Sequence, residues 1–136
     1  MTNKRKIYIS AFDLQRLQDF LDDMDPAERK KVRALEDELQ RAMVLPPEKI
    51  PAEVVTMNSR VRYRDLEDDT EMEITLVFPG DADISQGKMS VLSPIGTAML
   101  GYKAGEELEW RVPDGFRKIR IEALTYQPES SGDFHL

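Results

Sequence analysis

The chain has 136 residues, 40% hydrophobic and 33% charged, and a formal net charge of −7; that length fits one ordinary domain with a small appendage. The acidic balance disfavours autonomous nucleic-acid binding, which needs cations to track phosphates, and suits solubility or contact with a basic protein surface. With no cysteine, disulfides, thiolate nucleophiles and cysteine metal sites are excluded, and no apolar run approaches the ~20 residues of a membrane span.

The N-terminus MTNKRKIYIS is basic but lacks the apolar core and cleavage site of a signal peptide, so a cytoplasmic protein is expected. Ile7-Tyr8-Ile9 reads as a short edge strand. Ser10 then caps a helix over Ala11 to Leu21, whose Phe12, Leu14, Leu17, Phe20 and Leu21 form an apolar stripe. Asp25 and Pro26 are a cap and first residue for a second helix, predicted to run to about Met43 with Val32, Leu35, Leu39 and Met43 on one face. Two amphipathic helices joined so closely bury their stripes by folding back as an antiparallel hairpin, or by zipping against a second copy. Leu45-Pro46-Pro47 ends the helix, and residues 46–51 read as a linker.

Beyond the linker the apolar period changes from helical to two. Val54 to Met57 reads as a strand, Asn58-Ser59 as a tight turn, and Val61 and Tyr63 alternate with Arg60, Arg62 and Arg64. Met72, Ile74, Leu76 and Phe78 line one face of a longer strand. Met89 to Leu92 reads as a buried strand end, Ser93 as an N-cap, Pro94 as the first helical residue and Gly101 as the C′ glycine of a brief helix. Glu107 to Val112 alternates again, Pro113-Asp114-Gly115 signals a hairpin turn, and the phase slip near Ala123-Leu124 predicts a bulge. The tail from Gln127 reads as polar loop. The fold class is α+β, with residues 1–45 a short helical hairpin, 46–51 a linker and 52–136 a β-sheet domain with one short helix.

Catalytic chemistry finds no support in these residues. The single histidine, His135, lies beside the C-terminus, where a triad or a zinc site would hang from a frayed end. Asp81 and Asp83 begin like a calcium loop, but the glycine and glutamate that should follow are missing, which leaves a solvated turn. No glycine-rich phosphate loop exists. No catalytic residue, metal or cofactor is expected. Two surface features remain. The acidic cluster Asp22, Asp23 and Asp25 with Glu28 could hold Mg²⁺, although capping and helix-dipole complementarity explain it more simply. The arginine stripe Arg60, Arg62 and Arg64 is either a docking surface for an acidic partner or an ordinary solvent face.

The run Ile74-Thr75-Leu76-Val77-Phe78-Pro79-Gly80-Asp81-Ala82-Asp83, then Gly87-Lys88-Met89-Ser90-Val91-Leu92-Ser93-Pro94-Ile95-Gly96, resembles the C-terminal domain of the bacterial Gre transcription factors. Ala98-Met99-Leu100-Gly101, Ala104-Gly105-Glu106-Glu107 and Trp110 extend the likeness. Val54 to Val61 and the ending Tyr126-Gln127-Pro128-Glu129 with Gly132-Asp133-Phe134 are similar to the short members called regulators of nucleoside diphosphate kinase. The resemblance covers about residues 50 to 136. It implies an FKBP-like antiparallel sheet that docks on RNA polymerase beside the secondary channel, with DNA or RNA associated only through the polymerase. It also implies that polymerase contact falls on Leu92, Ser93, Pro94 and Gly96; from its charge alone, the stripe Arg60, Arg62 and Arg64 is a candidate second contact.

In the Gre factors a long N-terminal coiled coil carries an acidic tip to the polymerase active site. Here the first helix spans only ~17 Å at ~1.5 Å per residue, too short to deliver Asp22 or Asp25 down a deep channel, so transcript cleavage is not expected. Two alternatives accompany this reading. One is direct regulation of nucleoside diphosphate kinase. The other is an FKBP-like prolyl isomerase, which rests on fold analogy alone.

Overall fold

The computed structural model describes residues 7–30, 32–112 and 115–133. His135, Phe134 and the Pro113-Asp114 pair of the expected hairpin turn lie outside them. The architecture is α+β, with a two-stranded parallel ribbon and a five-stranded sheet.

Strand β1 (Tyr8–Ser10) runs straight into helix α1 (Ala11–Asp22). The Ser10 hydroxyl accepts the Asp13 N–H at 3.0 Å and so satisfies one of the orphan donors of the first turn. Leu17 and Leu21 of α1 are buried, whereas Phe12, expected in the same stripe, is 39% exposed. Asp25 caps the next helix as expected, with its carboxylate accepting the N–H groups of Ala27 and Glu28 at 2.8 and 3.3 Å.

The second helix is not continuous. It divides into α2 (Pro26–Lys30) and α3 (Arg33–Arg41), and Met43 belongs to strand β2 (Met43–Leu45). β2 lies parallel to β1, pairing Tyr8 with Met43 and Ser10 with Leu45. Two causes end the helix early. Pro46 bars helical backbone at Leu45, and further back the exposed edge of the N-terminal strand offers hydrogen bonds, the Met43 N–H donating to the Ile7 carbonyl at 2.8 Å. In place of a simple two-helix hairpin, a strand–helix–helix–helix–strand unit forms. Its Leu17, Leu21, Val32, Leu35 and Leu39 enter one apolar cluster with Val55, Met57, Leu76, Met99 and Ile121 of the sheet side.

The large sheet contains β3 (Arg60–Asp65), β4 (Thr70–Val77), β5 (Lys88–Ser90), β6 (Glu107–Val112) and β7 (Gly115–Tyr126), in the order β5-β4-β3-β7-β6. Its pairings are antiparallel except at one edge, where β5 joins β4 in parallel. That edge corrects the expectation of a wholly antiparallel sheet. The connection 78–87 carries the chain back as far as Thr75, so that β5 runs parallel to the last three residues of β4. The bulge expected near Ala123-Leu124 is double: the β3–β7 register slips at Glu122 and again at Thr125.

Val54 to Met57 is not a strand of this sheet. Val54 forms a lone bridge with Lys103, and Val55 exchanges backbone bonds with Gly101 and Tyr102 at 2.9 Å. The segment is nevertheless fully buried, because the loop after helix α4 (Pro94–Met99) takes the place of a neighbouring strand. Gly101 makes that loop possible. Its φ is +85°, and a Cβ there would lie 2.6 Å from Ile7 Cβ.

Residues 127–133 form turns, as a polar loop should, but part of this loop is buried. Gln127 and Glu129 are buried. The Gln127 amide donates to the carbonyls of Pro51 and Val54 at 2.8 and 2.7 Å, and its own oxygen accepts the Ser130 N–H at 3.1 Å. The tail therefore closes over the 51–59 segment by satisfying buried backbone acceptors.

Candidate functional site

The turn between β5 and α4 carries Leu92, Ser93, Pro94 and Gly96. Ser93 acts through its backbone and hydroxyl: Oγ accepts the Gly96 N–H at 3.1 Å and donates to the Ser90 carbonyl at 2.7 Å. Thr97 braces the other side, its hydroxyl donating to the Val91 carbonyl at 2.7 Å, and the Ser90 hydroxyl accepts the Leu92 N–H at 3.0 Å. Gly96 is buried, and a Cβ on it would sit 2.4 Å from the Ser90 carbonyl oxygen. Ser93 and Gly96 are thus positioning residues. Pro94 is exposed and Leu92 half-buried, so the surface this turn offers is a small apolar knob on a hydrogen-bonded base.

The arginine stripe occupies the face of β3 opposite the core, where Arg60, Arg62 and Arg64 stand directly across from Thr75, Glu73 and Glu71 of β4. Register decides the fate of each charge. Arg64 pairs with Asp69, Glu71 and, at 3.7 Å, Glu122 of β7; Arg62 approaches Glu71 at 3.7 Å. Arg120 joins the same ladder through Glu122 at 2.8 Å, and its hydrogen bond holds the Glu122 carboxyl below its ordinary range. Arg60 faces a threonine and forms no ion pair among the described residues.

The acidic tip is engaged locally. Asp25 caps α2, and Asp22 lies 3.4 Å from Arg29, which also holds Glu36 at 2.9 Å. These contacts use the carboxylates as helix stabilisers.

Two groupings escape sequence reasoning. The first is a buried polar cluster joining distant segments. Asp13 of α1 is fully buried; its carboxylate accepts the Met57 N–H at 3.1 Å and pairs with Arg16. The Arg16 guanidinium lies between the rings of Phe12 and Phe78, at 4.1 and 4.7 Å. Beside it, Thr56 donates to Glu129 at 2.7 Å and meets the Ser59 hydroxyl at 2.8 Å. Burial pushes the Asp13 carboxyl up to about 6, reinforced by the Glu129 charge and opposed by Arg16 and Met57. The one local signal is the Ser10-x-x-Asp13 spacing, which reads as an ordinary N-terminal cap.

The second is a cleft of about 260 Å³ lined by Asn58, Arg60, Thr75, Val77, Asp81, Lys88 and Tyr126. Among the described residues no helix is long and apolar enough to cross a membrane.

Comparison with known proteins places the chain. Residues 50–126 match the family described as transcription elongation factor, GreA/GreB, C-term, and residues 5–45 match the Rnk N-terminus. A regulator of nucleoside diphosphate kinase from Escherichia coli (strain K12) is 38% identical over 131 residues, 96% of each chain. The transcription elongation factor GreA of Clostridioides difficile (strain 630) is 41% identical over 92 residues, which span 68% of this chain and 58% of that one. A solved prokaryotic transcription elongation factor GreA/GreB from Nitrosomonas europaea superposes with a TM-score of 0.73 at 45% identity, over 90% of this chain and all of the other. The chain belongs to the regulator of nucleoside diphosphate kinase family, within the GreA/GreB transcription elongation factor superfamily.

Proposed function

We propose that this protein is a non-catalytic, cytoplasmic regulator of transcription that binds RNA polymerase beside the secondary channel. The observation that carries the reading is the β5–α4 turn. In a domain of Gre type, Leu92 and Pro94 form a rigid apolar knob, and Ser93 and Gly96 serve to hold it. Recognition by a small preformed knob costs little ordering entropy on binding. The short helical unit supports occlusion of the channel entrance over cleavage. Helix α1 has 12 residues, about 18 Å at 1.5 Å per residue; its terminal Asp22 is tied to Arg29 and the following Asp25 caps α2. Arg62 and Arg64 are neutralised within the sheet ladder, so the charged part of any second contact rests on Arg60.

Labelled protein binding to core RNA polymerase, with a Gre factor as competitor, tests the proposal. Mutual displacement is expected, together with roughly tenfold weaker binding for Pro94→Ala, a truncation of an exposed interface anchor on the order of 1.4 kcal/mol. Absence of binding at micromolar concentrations refutes it. The name of the Escherichia coli relative favours a second reading, direct contact with nucleoside diphosphate kinase. Capture of the kinase by this protein in the absence of polymerase would select that reading.

A further inference from the structure

Tyr126, Arg60, Thr75 and Lys88 are direct cross-strand partners on β7, β3, β4 and β5, and they make one row over the open face at one end of the sheet. Paired residues in a sheet project to the same face, so the guanidinium and the ammonium flank the Thr75 hydroxyl. Val77 forms a buried apolar floor two residues along β4, and Asn58, with its φ of +67°, turns into the end of the cleft. The Lys88 backbone is pinned on both sides, by β4 and by a bridge to Asp83 with two bonds of 2.9 Å.

The charges here differ from those elsewhere in the chain. In a protein of net charge −7, Arg62, Arg64, Arg117 and Arg120 all have carboxylate partners. The side chains of Asn58, Arg60, Thr75 and Lys88 have no hydrogen-bond or ion-pair partner among the described residues. Three acids close to the row in sequence or register accept hydrogen bonds from hydroxyls and form no ion pair with Arg60 or Lys88 among the described residues. Glu73 accepts from Thr125 at 2.6 Å, Asp133 accepts from the Tyr126 hydroxyl, and Asp83 accepts from Ser85 at 2.6 Å. The cleft lining retains one carboxylate, Asp81.

We infer that this cleft binds a phosphate-class oxyanion. Arg60 alone satisfies a planar carboxylate in bidentate fashion. Two cations on opposite sides of a hydroxyl, with an amide at the end, match a tetrahedral dianion that takes donors from several directions. The volume of about 260 Å³ admits a phosphate with a short ester arm and is smaller than an ordinary small-molecule site. Asp81 opposes the anion and moderates its affinity.

The test is a titration of the full-length protein with inorganic phosphate at constant ionic strength, followed through backbone amide resonances. Saturable shifts are expected at Asn58, Arg60, Thr75 and Lys88, with Kd on the order of 1 mM, and weakening of roughly tenfold in Arg60→Gln and in Lys88→Gln. Asp81→Asn is expected to tighten binding, an outcome that general loss of structure cannot produce. A parallel titration with glycerol phosphate separates the sources. Equal affinity identifies the phosphate head as the whole ligand, and clearly tighter binding identifies a phosphate monoester. No saturation by about ten times that concentration, equal response to acetate, or indifference to Asp81→Asn overturns the assignment. Polymerase is absent from this experiment, so its failure and that of the docking proposal are separate results.

Discussion

Asp13 should make the protein less stable as pH rises toward neutrality, and Asp13→Asn should remove that dependence. The carboxyl is inaccessible to solvent, and burial raises it from 3.8 to about 6 despite Arg16 and the Met57 N–H. Because the folded state holds the proton more tightly than the unfolded chain, the contribution is fully favourable below the unfolded value. It is lost progressively as pH climbs through the folded one. Above it, the ionised buried group costs roughly 3 kcal/mol relative to acid pH, at about 1.4 kcal/mol per pH unit between the two values. An asparagine retains the acceptor for the Met57 N–H and does not ionise. The stability of Asp13→Asn minus that of the parent, from urea unfolding, should therefore rise by about 2–3 kcal/mol between about pH 4 and pH 7.5. Taking the difference cancels the carboxyls that do not interact with Asp13, and leaves its coupling to Glu129 inside the measured term. A flat difference would refute the reasoning, and one that falls with pH would mean that Arg16 and Met57 outweigh desolvation.

Two further substitutions probe the backbone contacts that shape the domain. Gly101→Ala combines a positive φ with a Cβ 2.6 Å from Ile7 Cβ, whereas Gly105→Ala meets the same kind of φ with open space around it; the first should lose about 3 kcal/mol and the second about 1. Equal losses in thermal unfolding would show that strain alone matters and that the contact with Ile7 does not. Gln127→Leu leaves the Pro51 and Val54 carbonyls without the amide that now serves both. The Pro51 carbonyl keeps the Val54 N–H at 3.1 Å, so one buried acceptor, the Val54 carbonyl, is stranded. A loss of about 1–2 kcal/mol follows, and a loss below about 0.5 kcal/mol in urea unfolding would mean that water replaces the side chain.

Features set by neighbours in the chain were legible in the sequence. Ser93-Pro94 had to start a helix, Gly101 had to follow one, and Asp25-Pro26 had to open another, because capping chemistry acts over three residues. The β3, β4, β6 and β7 strands announced themselves by period-two alternation. Features that depend on distant partners were not legible. Met43 to Leu45 continues a helical pattern and becomes a strand because β1, more than 30 residues earlier, supplies an edge. The Asp13–Met57 and Thr56–Glu129 contacts join residues 44 and 73 apart, and no local pattern distinguishes Glu129 from a solvated acid. Arg60, Arg62 and Arg64 look equivalent as a stripe. Register across three strands separates them, giving Arg62 and Arg64 carboxylate partners and leaving Arg60 in a cleft. Resemblance supplied the family where physics alone supplied an α+β domain.

The docking turn and the oxyanion cleft meet at β5, a strand of three residues. Lys88 opens it and faces the cleft in register with Thr75, and Ser90 closes it in register with Val77. The Ser90 carbonyl accepts both the backbone N–H and the hydroxyl of Ser93, at 3.1 and 2.7 Å, and sits where a Cβ on Gly96 would have to go. An anion held by Lys88 and Arg60 therefore ties this edge strand to β3 across β4, on the same short segment that supports α4. Parallel edge strands of this length have few hydrogen bonds of their own, and local opening free energies are lowest in such elements. Anything that binds the closed edge and not the open one stabilises it by mass action. Phosphate should accordingly slow amide exchange at Val91, whose N–H donates to the Val77 carbonyl at 2.9 Å, and at the start of α4 as well as in the cleft. Lys88→Gln should abolish that protection while leaving the Ser93 cap itself in place.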